Sequence, residues 1–545
     1  MTSRPANISE ITFDVIIIGA GINGAGIARD AAMRGLQVLM LDKGDIGGGT
    51  SSWSTRLIHG GLRYLEHAEL GLVRESLRER ETLFRIAPHL VKPLPILLPL
   101  YEQAVRGPLT IRAGMIAYDM LSLDKSLPRH RMLTRDEALA QAPGLNRKGL
   151  RGAAIYYDAQ VEYAERLVVE NVLSAKEHGA TVVTYVKVET ITPENDSSSL
   201  VGFTGVLSGE TFVARARIVV NASGPWIDKV LAVSQLLASA APSKLLIGGT
   251  KGSHIIVAPF AGASTSALYV EARSDSRPFF IIPWNGHYLI GTTDIRYEGD
   301  LDRVEIEANE IDYLLSETNS VISTANLTRD SILFTYSGVR PLAFTGDQDA
   351  QSITRRHFIR RHPHFRNLFS IVGGKLTTYR SLAEQAMDLV CRELGKRAIK
   401  CSTADARLPG AQRADFAVFS ENFKSGSGLP EAISDRLLRT YGTRSSDVLE
   451  LIPEDPALAE IFDAQTGAIA AEVVFAFKSE MAQTLSDCLL RRTMVGLNSN
   501  CGVDAAEAAA RIAQKHLGWS ETRVDQETAA YRNEINRRFR GQSRI

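Results

Sequence analysis

The 545-residue sequence predicts an α/β fold with a distinct helical C-terminal region, on three observations. A complete strand–helix–strand unit carries Gly19-x-Gly21-x-x-Gly24 in its first turn. Two later glycine turns, Ala222-Ser-Gly224 and Gly373-Gly-Lys375, follow apolar runs. Beyond about Leu408 the pattern becomes mostly amphipathic helix.

Taken in order, Phe13 to Ile18 is a β-branched apolar run ending in glycine, as a buried parallel strand should. Ala25 to Arg34 carries helix formers, Gly35 stops the helix, and Gln37 to Leu41 returns as a strand closing on Asp42. Residues 45 to 61 are rich in Gly, Ser and Thr, which permits close approach of backbone to a ligand, and a helix is expected from Tyr64 to Ile86. Prolines punctuate residues 88 to 108. Leu109, Ile116, Met120 and Leu123 then share one face of a helix, expected to pack on the core, with a membrane-surface helix as the alternative.

Val161 to His178 reads as helix, Ala180 to Val188 as strand, Pro193 to Ser199 as a polar turn, and Ile218 to Trp226 as a strand feeding a glycine turn. Residues 245 to 345 hold short strand-like runs divided by Gly, Pro and Asn, which suits a mixed or antiparallel substrate sheet. Strand, turn and helix return over 371 to 392. The C-terminal helices are placed near 429–452, 467–495, 503–517 and 521–539.

Lys+Arg and Asp+Glu both number 62, so no global field draws in nucleic acid, and any anion selectivity has to be local. Cys391, Cys401, Cys488 and Cys501 form no CxxC pair and lie near no histidine at a metal-ligand interval, so they are expected to be reduced thiols in a cytosolic compartment, with no metal. The start, MTSRPANISEITF, lacks the apolar segment of an export signal, and no stretch reaches the ~18 apolar residues of a spanning helix. Membrane contact, if made, is expected to be peripheral.

In the first turn, Gly19 allows the tight turn, Gly21 the approach of a pyrophosphate and Gly24 close helix packing, while the helix N-terminus offers N–H donors. Asp42 lies 18 residues after Gly24, where a carboxylate accepts hydrogen bonds from ribose hydroxyls. This unit alone fits FAD or NAD. The distant turns at Ala222–Gly224 and Gly373–Lys375 favour a flavin enzyme, since an NAD domain needs only the first unit.

Thr50-Ser51-Ser52, Leu57-Ile-His-Gly-Gly-Leu-Arg-Tyr-Leu65, Lys251-Gly-Ser-His254, Gly291-Thr-Thr-Asp294, Thr335-Tyr-Ser-Gly-Val-Arg-Pro341 and Gly373-Gly-Lys-Leu-Thr-Thr-Tyr379 resemble the FAD-dependent glycerol-3-phosphate dehydrogenases in order and spacing. The resemblance runs from about residue 13 to 400 and continues more faintly to Leu490-Arg-Arg-Thr493. It implies a glutathione-reductase-like FAD-binding domain, a mixed β-sheet substrate domain and an α-helical C-terminal cap. The oxidoreductase region would occupy 1–400, with cofactor segments about 13–90, 150–235 and 365–400 and substrate segments about 91–149 and 236–364; the cap would be 401–545.

Oxidation of an alcohol by flavin requires hydride delivery to the ring and a base for the hydroxyl proton. His59 is the first candidate base and His254 the second; both fall in segments that the resemblance places near substrate. Phosphate favours arginines: Arg355 would hold it, and the resemblance puts Arg340 over the flavin, where it could stabilise an alkoxide. Arg63 and Tyr64 would complete the anion pocket, and Lys375 would sit near the flavin or the phosphate. The cofactor set is completed by Thr50, Ser51, Ser52, His59, Gly60, Ala222, Gly224, Gly374, Lys375, Leu376 and Thr377. Trp53 departs from the usual family wording and puts the access route in question.

The activity expected is oxidation of sn-glycerol 3-phosphate by a homodimer on the inner face of the cytoplasmic membrane, with a membrane quinone as acceptor. Alternatives are an oxygen-using oxidase, a tetritol-phosphate dehydrogenase, an amine or amino-acid oxidase of the same broad fold, or a flavin-binding scaffold without catalysis.

Overall fold

The computed structural model describes residues 8–65, 69–103, 106–122, 125–195, 197–234, 245–346, 355–396, 399–413 and 415–539. Two sheets organise it. The first contains β1 (Thr12–Ile18), β2 (Val38–Leu41), β7 (Thr181–Val183), β8 (Val186–Asn195), β9 (Ser198–Gly205), β10 (Thr211–Asn221), β17 (Phe358–His362) and β18 (Phe365–Val372), with the path β17-β18-β10-β1-β2-β7. Pairings β18–β10, β10–β1, β1–β2 and β2–β7 are parallel. β1 is buried along its length after Thr12, Asp14 included, because helices cover one face of the sheet while β8, β9 and a short helix over Ile227–Ala232 cover the other.

The second sheet holds β3 (Leu57–Ile58), β4 (Val91–Tyr101), β5 (Arg131–Thr134), β6 (Leu150–Val161), β11 (Thr250–Val257), β12 (Ala267–Glu271), β13 (Pro278–Trp284), β14 (His287–Gly291), β15 (Ile295–Arg296) and β16 (Ile332–Arg340). Helix α1 (Ile22–Met33) packs between the parallel sheet and two later helices, Ala164–Glu177 and Tyr379–Glu393. Alanine and glycine make this closeness possible: a Cβ on Gly26 would lie 2.7 Å from the Tyr379 ring.

Several elements differ from expectation. β4 contains Pro93, Pro95 and Pro99, residues that sequence reasoning took only as punctuation. Their even spacing puts all three missing N–H groups on one edge, and β12 meets β4 only at Ile96 and Leu97, so pairing with β6 survives. The expected helix from Tyr64 is a 3-10 turn over Leu62–Leu65 followed by α2 (Leu70–Ile86). The strand expected over 180–188 breaks at Tyr185, which has a positive φ of 58°. A helix, Ala308–Val321, stands in the region where only short strand-like runs were expected. β6 pairs in the second sheet although it falls inside a segment assigned to the cofactor domain, while β17 pairs in the first.

Helix α3 (Pro108–Met120) buries Ile111, Met115 and Tyr118 instead of the expected face. Leu109, Ile116 and Met120 are 82%, 45% and 65% exposed, so the core-facing expectation is corrected; Leu123 lies outside the described residues. The apolar residues surround the helix more widely than one stripe, and the bulky ring of Tyr118 secures the opposite side.

The C-terminal region is mainly helical, with helices Phe416–Gly426, Glu431–Tyr441, Ala470–Lys478, Ala506–Leu517 and Glu521–Phe539. It shares one continuous core with the second sheet, in which Trp53, Phe334 and Tyr336 meet Tyr531, Ile535 and Phe539. Among the described residues no helix is long and apolar enough to cross a membrane.

Candidate active site

A cleft of about 2290 Å³ runs along the carboxyl ends of the parallel strands and is lined by Gly19, Gly21, Asp42, Thr50, Ser51, Ala222, Gly224, Gly374, Lys375 and Leu376, among others. Gly19 takes φ +110°, and a Cβ there would be 2.7 Å from the Ala222 carbonyl oxygen. A Cβ on Gly24 would be 1.8 Å from the Gly19 oxygen, so Gly24 serves packing and does not line the cleft. Gly21 meets only the Ser51 hydroxyl, at 3.4 Å, and leaves the helix entrance open.

The entrance suits a dinucleotide. Helix α1 starts without a side-chain cap and without an acidic residue in its first turn, and Asn23 Oδ1 is buried with no partner. Asp42 accepts from the Ala20 and Gly44 N–H groups at 2.5 and 2.8 Å, which aims its carboxylate along the cleft. Thr50 Oγ1 donates to the Val339 oxygen, and Ser51 Oγ accepts from the Ile22 N–H at 2.9 Å. Ser52 does not line the cleft: it is buried and donates to the Gly47 oxygen at 2.6 Å, so its hydroxyl braces the loop.

Next to Lys375, which lines the cleft, the motif segments converge on a cluster that is not itself part of the lining: His59, Tyr64, Asp294, Arg340 and Arg355. The His59 N–H donates to Thr377 Oγ1 at 3.2 Å, tying the β3 turn to the segment after β18. Behind it the Gly60 N–H donates to Tyr118 Oη at 3.0 Å, and Tyr118 donates to the buried Asp158 at 2.6 Å. Thr377 and Gly60 thus position the His59 turn from behind, and like His59 itself they do not line the cleft. Burial lowers the His59 imidazole to about 4; Asp158 opposes this, and Lys375, Arg355 and Arg80 reinforce it. Among the described residues, its ring nitrogens make no hydrogen bond. The ring stands edge-on to Phe280, with centroids 6.2 Å apart.

Lys375 Nζ lies 3.6 Å from the centre of the Tyr64 ring. Burial and then Arg355 bring its ammonium down to about 7, against the pull of Glu69 and Glu75. Asp294 bridges two arginines: its Oδ1 accepts from Arg340 Nη1 at 2.9 Å, and its Oδ2 from Arg355 Nη2 at 3.3 Å. Burial alone would raise Asp294, but Arg340 and Arg355 outweigh it and keep the carboxyl below its ordinary range. Arg340 lies across Gly252 on the neighbouring strand, where a Cβ would be 2.3 Å from its Nη2.

His254 lies deeper. It is 1% exposed, its Nε2 is 3.0 Å from Thr55 Oγ1, and its ring faces Tyr336 at 4.8 Å. Burial, then Arg340 and Arg56, hold it well below the ordinary imidazole range. Its ring passes over Gly291, where a Cβ would be 2.5 Å away. Trp53 packs between Tyr336 and Phe539 in the wall of the cleft. The Arg63 side chain lies outside the described residues.

Sequence reasoning missed Asp294, Asp158, Tyr118 and Asn23. Asp294 stood inside a recognised motif, and an acidic residue among arginine-bearing segments was a usable signal. Asp158 gave none, because its partners Arg80 and Tyr118 lie 78 and 40 residues away.

Residues 14–389 match the family described as FAD dependent oxidoreductase, and residues 401–524 match the C-terminal domain of alpha-glycerophosphate oxidase. A glycerol-3-phosphate dehydrogenase of Synechocystis sp. is 47% identical, covering 96% of this chain and 96% of its own. A D-erythritol 1-phosphate dehydrogenase of Brucella abortus is 38% identical, covering 88% of this chain and 94% of its own. The solved glycerol-3-phosphate dehydrogenase of Bacillus halodurans, complexed with FAD, is similar with a TM-score of 0.80 at 28% identity, over 98% of this chain and 96% of that one.

Proposed function

The chain belongs to the FAD-dependent glycerol-3-phosphate dehydrogenase family, and from that premise we propose that it oxidises sn-glycerol 3-phosphate to dihydroxyacetone phosphate. One observation carries the reading: His59 stands close to the cations Lys375 and Arg355, with Tyr64 against Lys375 and Arg340 joined to Arg355 through Asp294. FAD, when bound, accepts the carbinol hydrogen with its electron pair. The chain supplies the rest.

Lys375 and Arg355 receive the phosphate, in a cluster where Asp294 is shared between Arg340 and Arg355 and Glu69 and Glu75 act on Lys375. His59 takes the hydroxyl proton, since among the described residues its ring nitrogens have no hydrogen-bond partner, whereas His254 Nε2 is held by Thr55. His254 is then a positioning group. Arg340 steadies the developing alkoxide from its anchored place across Gly252.

Anaerobic loss of the flavin absorbance near about 450 nm on adding sn-glycerol 3-phosphate tests the reading, with unphosphorylated glycerol as the blank. The Brucella relative supports a second substrate, D-erythritol 1-phosphate, because the same groups read phosphate and not chain length. Bleaching by that compound alone would transfer the reading to it.

We take the acceptor to be a membrane quinone, reached from the inner face of the cytoplasmic membrane. The exposed Leu109, Ile116 and Met120 on α3 support a peripheral contact. Quinone reduction with little peroxide distinguishes this from an oxygen-using oxidase. The assembly in this reading is a homodimer, checked by light scattering of the purified protein.

A further inference from the structure

The C-terminal domain reaches the far end of the cofactor cleft through a buried ion cluster. Asp45 lies three residues after Asp42, in the loop that also carries Gly48, Thr50 and Ser51, and is 4% exposed. Both of its oxygens are taken from the other end of the chain. Arg491 Nε donates to Oδ2 at 2.5 Å, while Arg492 Nη1 and Nη2 donate to Oδ2 and Oδ1, each at 2.8 Å. The two arginines are consecutive in a π turn, Cys488–Arg492, that sets both guanidinium groups on one carboxylate.

The same turn grips the neighbouring wall. Arg491 Nη2 also donates to Asp487 at 2.8 Å, and Asp487 Oδ1 accepts from Tyr185 Oη at 2.6 Å. Gln483 Nε2 donates to Thr184 Oγ1 at 2.7 Å. Thr184 and Tyr185 are joined to the Asp42 loop by backbone bonds: Asp42 N–H to the Val183 oxygen, and Tyr185 N–H to the Gly44 oxygen. Asp42, Asp45, Thr184, Tyr185, Gln483 and Arg491 line one stretch of the cleft. The oxidoreductase domain alone would leave that stretch bounded by two loops and no third wall.

We propose that the C-terminal domain retains the cofactor: the Arg491–Arg492 clamp on Asp45 holds the loop that embraces the adenosine half of FAD, and FAD leaves only when the clamp opens. The proposal rests on the reading that the adenosine half lies along Asp42. It assigns the C-terminal domain a binding role in place of a purely architectural one.

The experiment uses full-length holoprotein. FAD release is followed as recovery of flavin fluorescence after large dilution, for wild type, Arg491→Gln, Gln483→Ala, Tyr185→Phe and, as a reference on the cleft itself, Asp42→Ala. Melting temperatures are taken with and without saturating FAD. Arg491→Gln should release FAD at least about 10-fold faster, the loss of a charge-assisted hydrogen bond, and the rise in melting temperature given by FAD should shrink. Gln483→Ala and Tyr185→Phe, which each remove one neutral donor, should release it a few-fold faster and carry the test if Arg491→Gln does not fold. Faster release from Asp42→Ala together with wild-type release from the clamp variants would overturn the clamp and leave the cleft reading standing. Wild-type release from Asp42→Ala would overturn the clamp together with its premise. A clamp variant that melts lower by the same amount with and without FAD, at unchanged release, would show packing alone and refute the role.

Discussion

Lys375 offers the sharpest test of the proposed chemistry, because its ammonium has been brought down to about 7, first by burial and then by Arg355. The charged form dominates below that pH and is lost above it. If phosphate capture needs the charge, kcat/KM, which reports the free enzyme, should fall tenfold per pH unit on the alkaline side, to about 1% of its plateau two units above the midpoint. Bound substrate should return the proton: one phosphate charge at ~4 Å, with an effective dielectric of ~20, is worth about 4 kcal/mol, or about 3 pH units. The limb in kcat should therefore lie about 3 units higher than the limb in kcat/KM. Lys375→Arg keeps its charge throughout, so the alkaline limb of kcat/KM should disappear. The assay is steady-state reduction of an artificial dye by sn-glycerol 3-phosphate from acid to alkaline buffer; an acid limb near ~6 would belong to the phosphate's second ionisation. A wild-type kcat/KM that stays level two units above the midpoint, or a limb that Lys375→Arg leaves in place, would refute the reasoning.

Arg340→Ala should keep FAD bound, with an unchanged flavin spectrum, while kcat/KM drops by about 10²–10³-fold, as for loss of one transition-state donor; near wild-type turnover would remove Arg340 from the chemistry. Glu480→Gln should destabilise the docked C-terminal domain by about 3–5 kcal/mol, read in urea unfolding, because it strands the buried Arg166 guanidinium that Glu480 holds at 2.5 and 2.8 Å. In the wild type, Arg166 and Arg444 outweigh burial and hold the Glu480 carboxyl at about 2. A depressed folded-state value gives stability that is full above the unfolded value of ~4.3 and is lost as the pH falls toward about 2, so acid titration should undock this domain in that window. Replacing Leu109 and Met120 together with Glu should abolish sedimentation with anionic vesicles and leave activity with a soluble dye intact; undiminished binding would clear α3 of a membrane role.

The cofactor half of the molecule was readable because its instructions are local. Gly19, Gly21 and Gly24 with Asp42 specify a turn, a helix and a strand end within some thirty residues, and each glycine has its own steric reason, from a positive φ to a 1.8 Å conflict. The motif segments named in the sequence also come together: the His59 turn bonds to Thr377, and Lys375 meets Tyr64. The proline-bearing β4 was illegible because its tolerance depends on which edge lacks a partner, a property of the sheet and not of the strand. The exposed face of α3 was misread because helical periodicity reports amphipathicity without saying which side meets protein.

The sequence by itself determined the dinucleotide turn, the alternation of strand and helix, the helical character of the C-terminal region and the residue types that suit a phosphate and a proton. Only tertiary structure decided which of them face one another. Asp294 between two arginines, Asp158 behind Gly60 and Asp45 under Arg491 and Arg492 join positions from tens to hundreds of residues apart. Such pairings have no local signature, because a buried carboxylate is stabilised by whichever cations the packed chain delivers to it, and packing is settled by the whole core at once.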